Sequence, residues 1–568
     1  MGDRGFLIYA LLQVYLPYMS KQPKSLYFVL LILALVVNFA GINAGFFTDD
    51  PGLYASIAKN MVQKNDWLQL FTYNTDWLDK PHFPFWMAAM SFKIFGISAW
   101  AYRLPALIFF CLGLLYTWLF AKRFYGKDAA LIAVLILATA EHILISNIDT
   151  RAEPYLMALV IGSIYHVSRY NQKGTVKHFL LAALLTACAI MTKGLFVIVA
   201  IYGALLGQMI AQKQFLKLFS GKWLLLYLAT IIFTLPEFYA LYVQFDMHPE
   251  KLVFDRHNVS GIKWFLWDSQ FGRFANNGPI QQKKSGDPFF FIHTMLWTFL
   301  PWCLMFYFAV YKSIRKVFQK ISLSEYYTIS GGLLLLLLFS LSRFQLPFYT
   351  NILFPLFAIM MAPYVTSVLS KGQENLRKVF LLLFAIILPV VIIAVHIMLK
   401  PENSVMFITG IILFGLVAAW IVRQQVSSAV KIFALTCCAS LFGNFYMNTV
   451  FFPKMASYNS QVKAAKYANQ PQFAGSGVYS LRQSNNSFQF YCNKPVGFVA
   501  LNEFKNFDPQ GPVIFFASQA SVDQLSAEGS KFKIIASFVD YPQENILPQF
   551  INAKTRYKVL SKAYLISK

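Results

Sequence analysis

Three observations predict an all-α polytopic membrane protein with a small C-terminal α/β domain. Apolar runs long enough to cross a bilayer recur from residue 26 to residue 450. Only 13% of residues are charged, against 57% hydrophobic, and the mean hydropathy is +0.51. From residue 453 the composition turns polar, and short strand-like and helix-like stretches alternate.

In order, the apolar runs are 26–45, 102–120, 129–147, 154–167, 179–192, 195–211, 223–245, 289–311, 326–341, 344–369, 379–399, 405–422 and 432–450, which predicts thirteen spans. The segment 6–18 is too short to span and lacks a small-residue cleavage pattern, so it reads as an interfacial start. The helical stretch 83–95 is also too short and reads as interfacial or re-entrant. In the polar region, strands are expected at 477–481, 512–517, 531–539 and 557–566, with helices at 458–468 and 520–528. The predicted organisation is a membrane domain over 1–452 and a soluble α/β domain over 453–568.

Charge sets the orientation. Alternate connections carry seventeen basic residues, from Lys122, Arg123 and Lys127 through to Arg423, against three acids, Asp128, Glu325 and Glu374. The positive-inside rule makes these connections cytoplasmic, together with an N-terminus bearing Lys21 and Lys24. The loops 46–101 and 246–288 and the C-terminal domain are then outside. The net charge of +24 is spread between apolar runs and forms no soluble basic face, so nucleic acid is not an expected partner, whereas membrane lipids are. Five of the six cysteines, all but Cys492, lie in apolar runs, and neither a disulfide framework nor a CxxC metal site is implied.

The outer loops hold the groups with chemical potential. The stretch 47–82 carries Asp49, Asp50, Asp66, Asp76 and Asp79, five of the 25 acidic residues, and Asp149 and Glu153 close a short outer turn. Carboxylates on neighbouring loops at the membrane boundary can deprotonate an acceptor and aim it at a sugar anomeric carbon. Taken singly, a loop acid needs no such role, because most simply face water. Lys80, Lys193, Arg256, Arg273 and Arg343 break the positive-inside pattern, and converging cations of this kind stabilise a departing phosphate. Glu141, His142 and Glu237 fall inside spans, where ionisable groups are functional candidates. His82, His248, His257 and His293 are outside with acids nearby but lack metal-ligand spacing. No glycine-rich phosphate loop is present.

Asp50 with Tyr54 and Ala55, then Asn65-Asp66-Trp67, then Asp79-Lys80-Pro81 form an ordered series. It continues through Arg103-Leu104-Pro105, Arg151-Ala152-Glu153, Thr192-Lys193-Gly194, Gln270 to Phe274, Pro301-Trp302 and Leu346-Pro347-Phe348-Tyr349. This series resembles the aminoarabinose lipid A transferases and protein O-mannosyltransferases, GT-C-fold enzymes that use polyprenyl-phosphate sugars. It covers residues 26–370 and departs from the aminoarabinose enzymes at Pro51, Leu53, Glu153 and Gln345.

The resemblance implies an inverting glycosyltransferase of a bacterial inner membrane, with its active face and C-terminal domain in the periplasm. It implies a polyprenyl-phosphate sugar donor and a lipid A, glycan or protein acceptor. Asp50 and Glu153 match the catalytic acids, Lys80 and Arg273 match groups around the lipid phosphate, and Lys193 is expected to assist them. Tyr54, Asp49, Asp149, His257 and Tyr349 are further candidates for substrate contact. No cofactor is required; a divalent metal would have only Asp79 and His82 as weak candidate ligands. The alternative is a transporter or lipid flippase, which predicts inverted repeats that the sequence does not display.

Overall fold

The computed structural model of the protein describes residues 24–73, 75–282, 286–541 and 546–568. The expected interfacial start at 6–18, and Lys21, lie outside them. The first elements are α1 (Lys24–Ala40), α2 (Asp49–Lys64), the two-residue strands β1 (Phe71–Thr72) and β2 (Thr75–Asp76), and α3 (Phe83–Phe95). Next come α4 (Ala99–Thr139), α5 (Glu141–Ile148), α6 (Glu153–Lys173), α7 (Val176–Lys193), α8 (Val197–Ala211) and α9 (Gly221–Leu241). After α10 (Ser269–Ala275) follow α11 (Phe290–Thr298), α12 (Cys303–Phe318), α13 (Tyr327–Leu341), α14 (Phe354–Thr366), α15 (Lys371–Leu399), α16 (Val405–Arg423) and α17 (Ser428–Tyr446).

Among the described residues, six helices are long and apolar enough to cross a membrane, and five shorter apolar helices accompany them. Thirteen spans are therefore not reached by length and composition alone. The helix α3 has the bounds expected for the short piece 83–95. Two expected spans are broken where the sequence places proline, which cannot donate the backbone hydrogen bond a helix interior needs. The run 289–311 divides into α11 and α12 around Pro301, and the run 344–369 begins as a 3-10 turn, Pro347–Ile352, before α14. The long α4 turns at Gly126, whose φ of 87° a side chain would resist. Residues of both its arms, Cys111 and Leu114 with Leu131 and Val134, line one groove.

The stretch after α1, expected as a loop, contains a helix. Thr48 is its extended N-cap residue, Asp49 and Asp50 occupy its first turn, and Asn65 closes it in the left-handed region. Arg103, wholly buried, fixes the approach to this helix: its guanidinium donates to the carbonyls of Ile148 at 2.8 Å, Ile42 at 3.0 Å and Ala44 at 2.5 Å.

Beyond α17, the C-terminal sheet domain contains α18 (Ser460–Ala468), β3 (Gly477–Ser480), α19 (Asn486–Tyr491), β4 (Val496–Phe498), β5 (Val513–Ser518), α20 (Gln519–Ala527), β6 (Lys533–Asp540) and β7 (Ser561–Ser567). The five strands are ordered β4-β3-β5-β7-β6, with β3 parallel to β4 and β5, and β7 antiparallel to β5 and β6. The four expected strands and two expected helices are all present, with ends shifted by a few residues. The strand β4 and the helix α19 are additions, too short to show a period in sequence.

Candidate active site

The ends of α2, α6 and α7 meet. Asp50, in the first turn of α2, keeps a half-exposed carboxylate whose Oδ2 lies 2.5 Å from Nη1 of Arg151. Arg151 sits in the turn between α5 and α6 and also donates to Asp149, through Nη2 at 2.7 Å and Nε at 3.1 Å. Its guanidinium lies 4.3 Å from the ring centre of Phe348. Asp149 in turn accepts a short hydrogen bond from the Thr48 hydroxyl, which ties the start of α2 to the α5–α6 turn. Burial works against the charge on Arg151, but Asp149, Asp50 and Glu153 outweigh it and hold the guanidinium firmly protonated.

Glu153 opens α6 and Lys193 closes α7, and the two form a buried ion pair through Oε1. The Lys193 ammonium stands 4.3 Å from the ring centre of Tyr349. The second oxygen of Glu153, Oε2, is buried without a hydrogen-bond partner, an unsatisfied acceptor beside the cations.

A third cation is Lys80, paired with Asp79 at 2.6 Å, and Asp79 also binds the guanidinium of Arg273 from α10. Burial is the main influence on Lys80 and lowers its ammonium to about 8, the carboxylates of Asp50 and Glu153 offsetting part of that effect. The loop bearing Lys80 is anchored two residues on. The buried carboxylate of Glu237 accepts from His82 N and Nδ1, each at 3.0 Å, while Nε2 lies 3.0 Å from the Leu68 carbonyl oxygen.

Lys80, Lys193, Arg273 and Gln270 line a small cleft of about 20 Å³. Lys193, Gln270 and Arg273 also border a cavity of about 340 Å³ whose remaining wall is largely apolar, with Leu195, Phe196, Phe271, Leu338, Phe339 and Phe344. Lys193, Gln270 and Arg273 thus form a wall common to a polar cleft and an apolar chamber.

Residues 79–239 match the dolichyl-phosphate-mannose-protein mannosyltransferase family. A protein of Edwardsiella ictaluri, named undecaprenyl phosphate-alpha-4-amino-4-deoxy-L-arabinose arabinosyl transferase, is 26% identical over 358 residues, 61% of this chain and 60% of its own length. The crystal structure of ArnT from Cupriavidus metallidurans bound to undecaprenyl phosphate is 17% identical and superposes with a TM-score of 0.72, covering 95% of this chain and 97% of that one. The oligosaccharyltransferase of Archaeoglobus fulgidus, 11% identical, superposes with a TM-score of 0.50 over 92% of this chain and 70% of its own. The fold is that of the ArnT structure, the GT-C fold. It is a multi-pass membrane protein, and the likeness to the ArnT fold extends over nearly its whole length, C-terminal sheet domain included.

Within this GT-C fold, Asp50, Asp149, Glu153, Lys80, Lys193, Arg273 and Tyr349 come together from separate segments, and Tyr54 lies close by, buried against Phe85 and Trp77. Asp49 turns away and binds Asn486 of the sheet domain. His257 lies in a different cavity with Arg256 and Trp267, and its Nδ1 is 2.9 Å from the Glu250 carbonyl oxygen. Of the weak metal candidates, Asp79 pairs with Lys80 and Arg273, and the two ring nitrogens of His82 meet Glu237 and the Leu68 carbonyl oxygen. Among the described residues no three His, Cys, Asp or Glu side chains converge as a metal site would require. Asp66 accepts from the amides of Leu68 and Gln69, and Asp76 pairs with Lys251 at 3.0 Å. The residue the sequence reading passed over is Arg151, although its position between two acids in an outer turn was a visible signal.

Proposed function

We propose that this membrane glycosyltransferase transfers a sugar from a polyprenyl phosphate, of the undecaprenyl type, to an acceptor at the periplasmic face of a bacterial inner membrane. The observation that carries the reading is an apolar cavity bordered by Lys193 and Arg273, which also line the polar cleft of Lys80, with Glu153 paired to Lys193 and Asp50 near enough to act on Lys80. The apolar wall suits a polyprenyl tail, and the converging cations suit its phosphate. Lys80 and Arg273 share Asp79, and Lys193 pairs with Glu153, so the three cations are held close together at the cleft, where a phosphodiester would meet them.

In the reaction, an acceptor hydroxyl or amine attacks the anomeric carbon opposite the phosphate. The new bond to carbon forms as the bond to the phosphate oxygen breaks, the phosphate leaves with the electron pair, and the acceptor proton passes to Asp50. Arg151 holds that carboxylate in place, while Glu153 orients the acceptor through its unpartnered Oε2. The charge growing on the departing phosphate is met by Lys80, Arg273 and Lys193. One in-line displacement inverts the anomeric carbon. The relatives' name, undecaprenyl phosphate-alpha-4-amino-4-deoxy-L-arabinose arabinosyl transferase, supports an undecaprenyl-phosphate sugar as donor, and the acceptor is a lipid A, glycan or protein.

Mass spectrometry of lipids and glycoproteins from a deletion strain identifies the sugar and acceptor together. The expected result is one lost sugar mass, restored by the wild-type gene and not by an Asp50→Asn copy. An unchanged lipid and glycoprotein profile contradicts the assignment.

A further inference from the structure

The mechanism above uses Asp50 and leaves Asp49 and Lys59 on the same helix without a role. Asp49 and Lys59 both reach the short helix α19 of the C-terminal sheet domain, one at each end. Asp49 accepts from the Asn486 backbone N–H at 3.2 Å and from its Nδ2 at 2.6 Å, and from Gln461 Nε2 at 3.4 Å. Lys59 is buried and donates to the carbonyls of Gln489 and Phe490, each at 3.1 Å, and of Cys492 at 2.5 Å.

A carboxylate at the first amides of a helix and an ammonium at its last carbonyls satisfy groups that the helix itself leaves unpaired. Between the two ends the surfaces lie very close. The Ser56 hydroxyl donates to the Asn486 carbonyl at 3.1 Å, and a Cβ at Gly52 would stand 2.7 Å from the Ser487 nitrogen. Phe46, just before α2, packs its ring on Phe490 and Tyr491.

We propose that Asp49 and Lys59 are positioning residues through which the C-terminal sheet domain grips α2 and sets the direction of Asp50; this rests on Asp50 being the proton acceptor. Consecutive helix residues point about 100° apart, so fixing Asp49 on α19 leaves Asp50 one orientation, toward Arg151. The sheet domain is thereby part of the catalytic apparatus without touching the substrate.

The test uses the full-length protein with the donor and acceptor identified from the deletion strain, and undecaprenyl phosphate as the binding probe. In Lys59→Met the turnover number falls roughly 10- to 100-fold, as displaced catalytic groups do, while undecaprenyl phosphate affinity stays within about twofold. Alkylation of Cys492, read by peptide mass spectrometry, accelerates, and Lys59→Arg, which keeps the donors, restores most of the turnover. Gly52→Ala separates the same surfaces with both charges intact and gives the same split, which covers failure of Lys59→Met to fold. Faster Cys492 alkylation with unchanged turnover in either variant overturns the proposal. Activity in Asp50→Asn would instead remove the catalytic reading on which it rests, and an inactive Asp50→Asn with a normal Lys59→Met removes this inference alone.

Discussion

Lys80 gives the site a pH limit that can be worked out in advance. Its ammonium is lowered to about 8, chiefly by burial, from the ordinary value of 10.5. A lowered lysine is charged below that value and neutral above it, so the cation proposed to meet the phosphate is present at pH 7 and lost as the pH rises through 8. Its charged fraction is about 90% at pH 7 and about 3% at pH 9.5, a change of roughly 30-fold, whereas an ordinary lysine would still be about 90% charged at pH 9.5. The sugar phosphodiester keeps its single charge across this window. The expected kcat/KM for the donor therefore falls by up to about 30-fold between pH 7 and 9.5, the floor being set by Lys193 and Arg273. In Lys80→Arg, whose guanidinium stays charged, the fall disappears even if the overall rate is lower. Steady-state kinetics in detergent or nanodiscs at fixed acceptor concentration measure both profiles. A flat wild-type profile to pH 9.5, or the same fall in Lys80→Arg, refutes the role assigned to Lys80.

Two further outcomes follow from the surroundings of the site. Glu237→Leu leaves the His82 backbone N–H and Nδ1 without their buried partner, at a cost of about 1–3 kcal/mol. The loop bearing Lys80 loosens, so donor KM rises and the thermal midpoint falls, with Glu237→Gln milder; an unchanged donor KM in the leucine variant contradicts the anchoring role. Leu338→Trp intrudes on the apolar cavity. It raises KM for an undecaprenyl-linked donor and spares a donor with a two-isoprene tail, and an equal effect on both donors contradicts the use of the cavity for the lipid.

The membrane part of the fold was readable because burial in lipid imposes long apolar runs and biased charges. Its exceptions were local. The broken runs around Pro301 and Pro347 look continuous in hydropathy, although proline marks each break. The helix α2 was hidden by its polarity, yet Thr48 before two acids is an ordinary helix-start signal. The acids and bases could be gathered onto one side from topology alone, but their partners could not be named. Glu237 meets His82 across 155 positions, and Asp49 meets Asn486 across 437. Nothing periodic connects such pairs, so the sequence did not show that Glu237 holds His82 or that Asp49 reaches Asn486. Arg151 escaped for a different reason: flanked by acids in a short turn, it reads as ordinary neutralisation until Asp50 is seen to share it.

The measurement that bears most directly on the account is transfer of labelled sugar from purified polyprenyl-phosphate donor by the wild type and by Asp50→Asn. The carboxamide is nearly isosteric and cannot take the acceptor proton, so turnover should fall by about 100-fold or more. Undecaprenyl phosphate should bind as before, because Lys80, Lys193 and Arg273 are untouched. Near-normal transfer by Asp50→Asn would contradict the account at its centre.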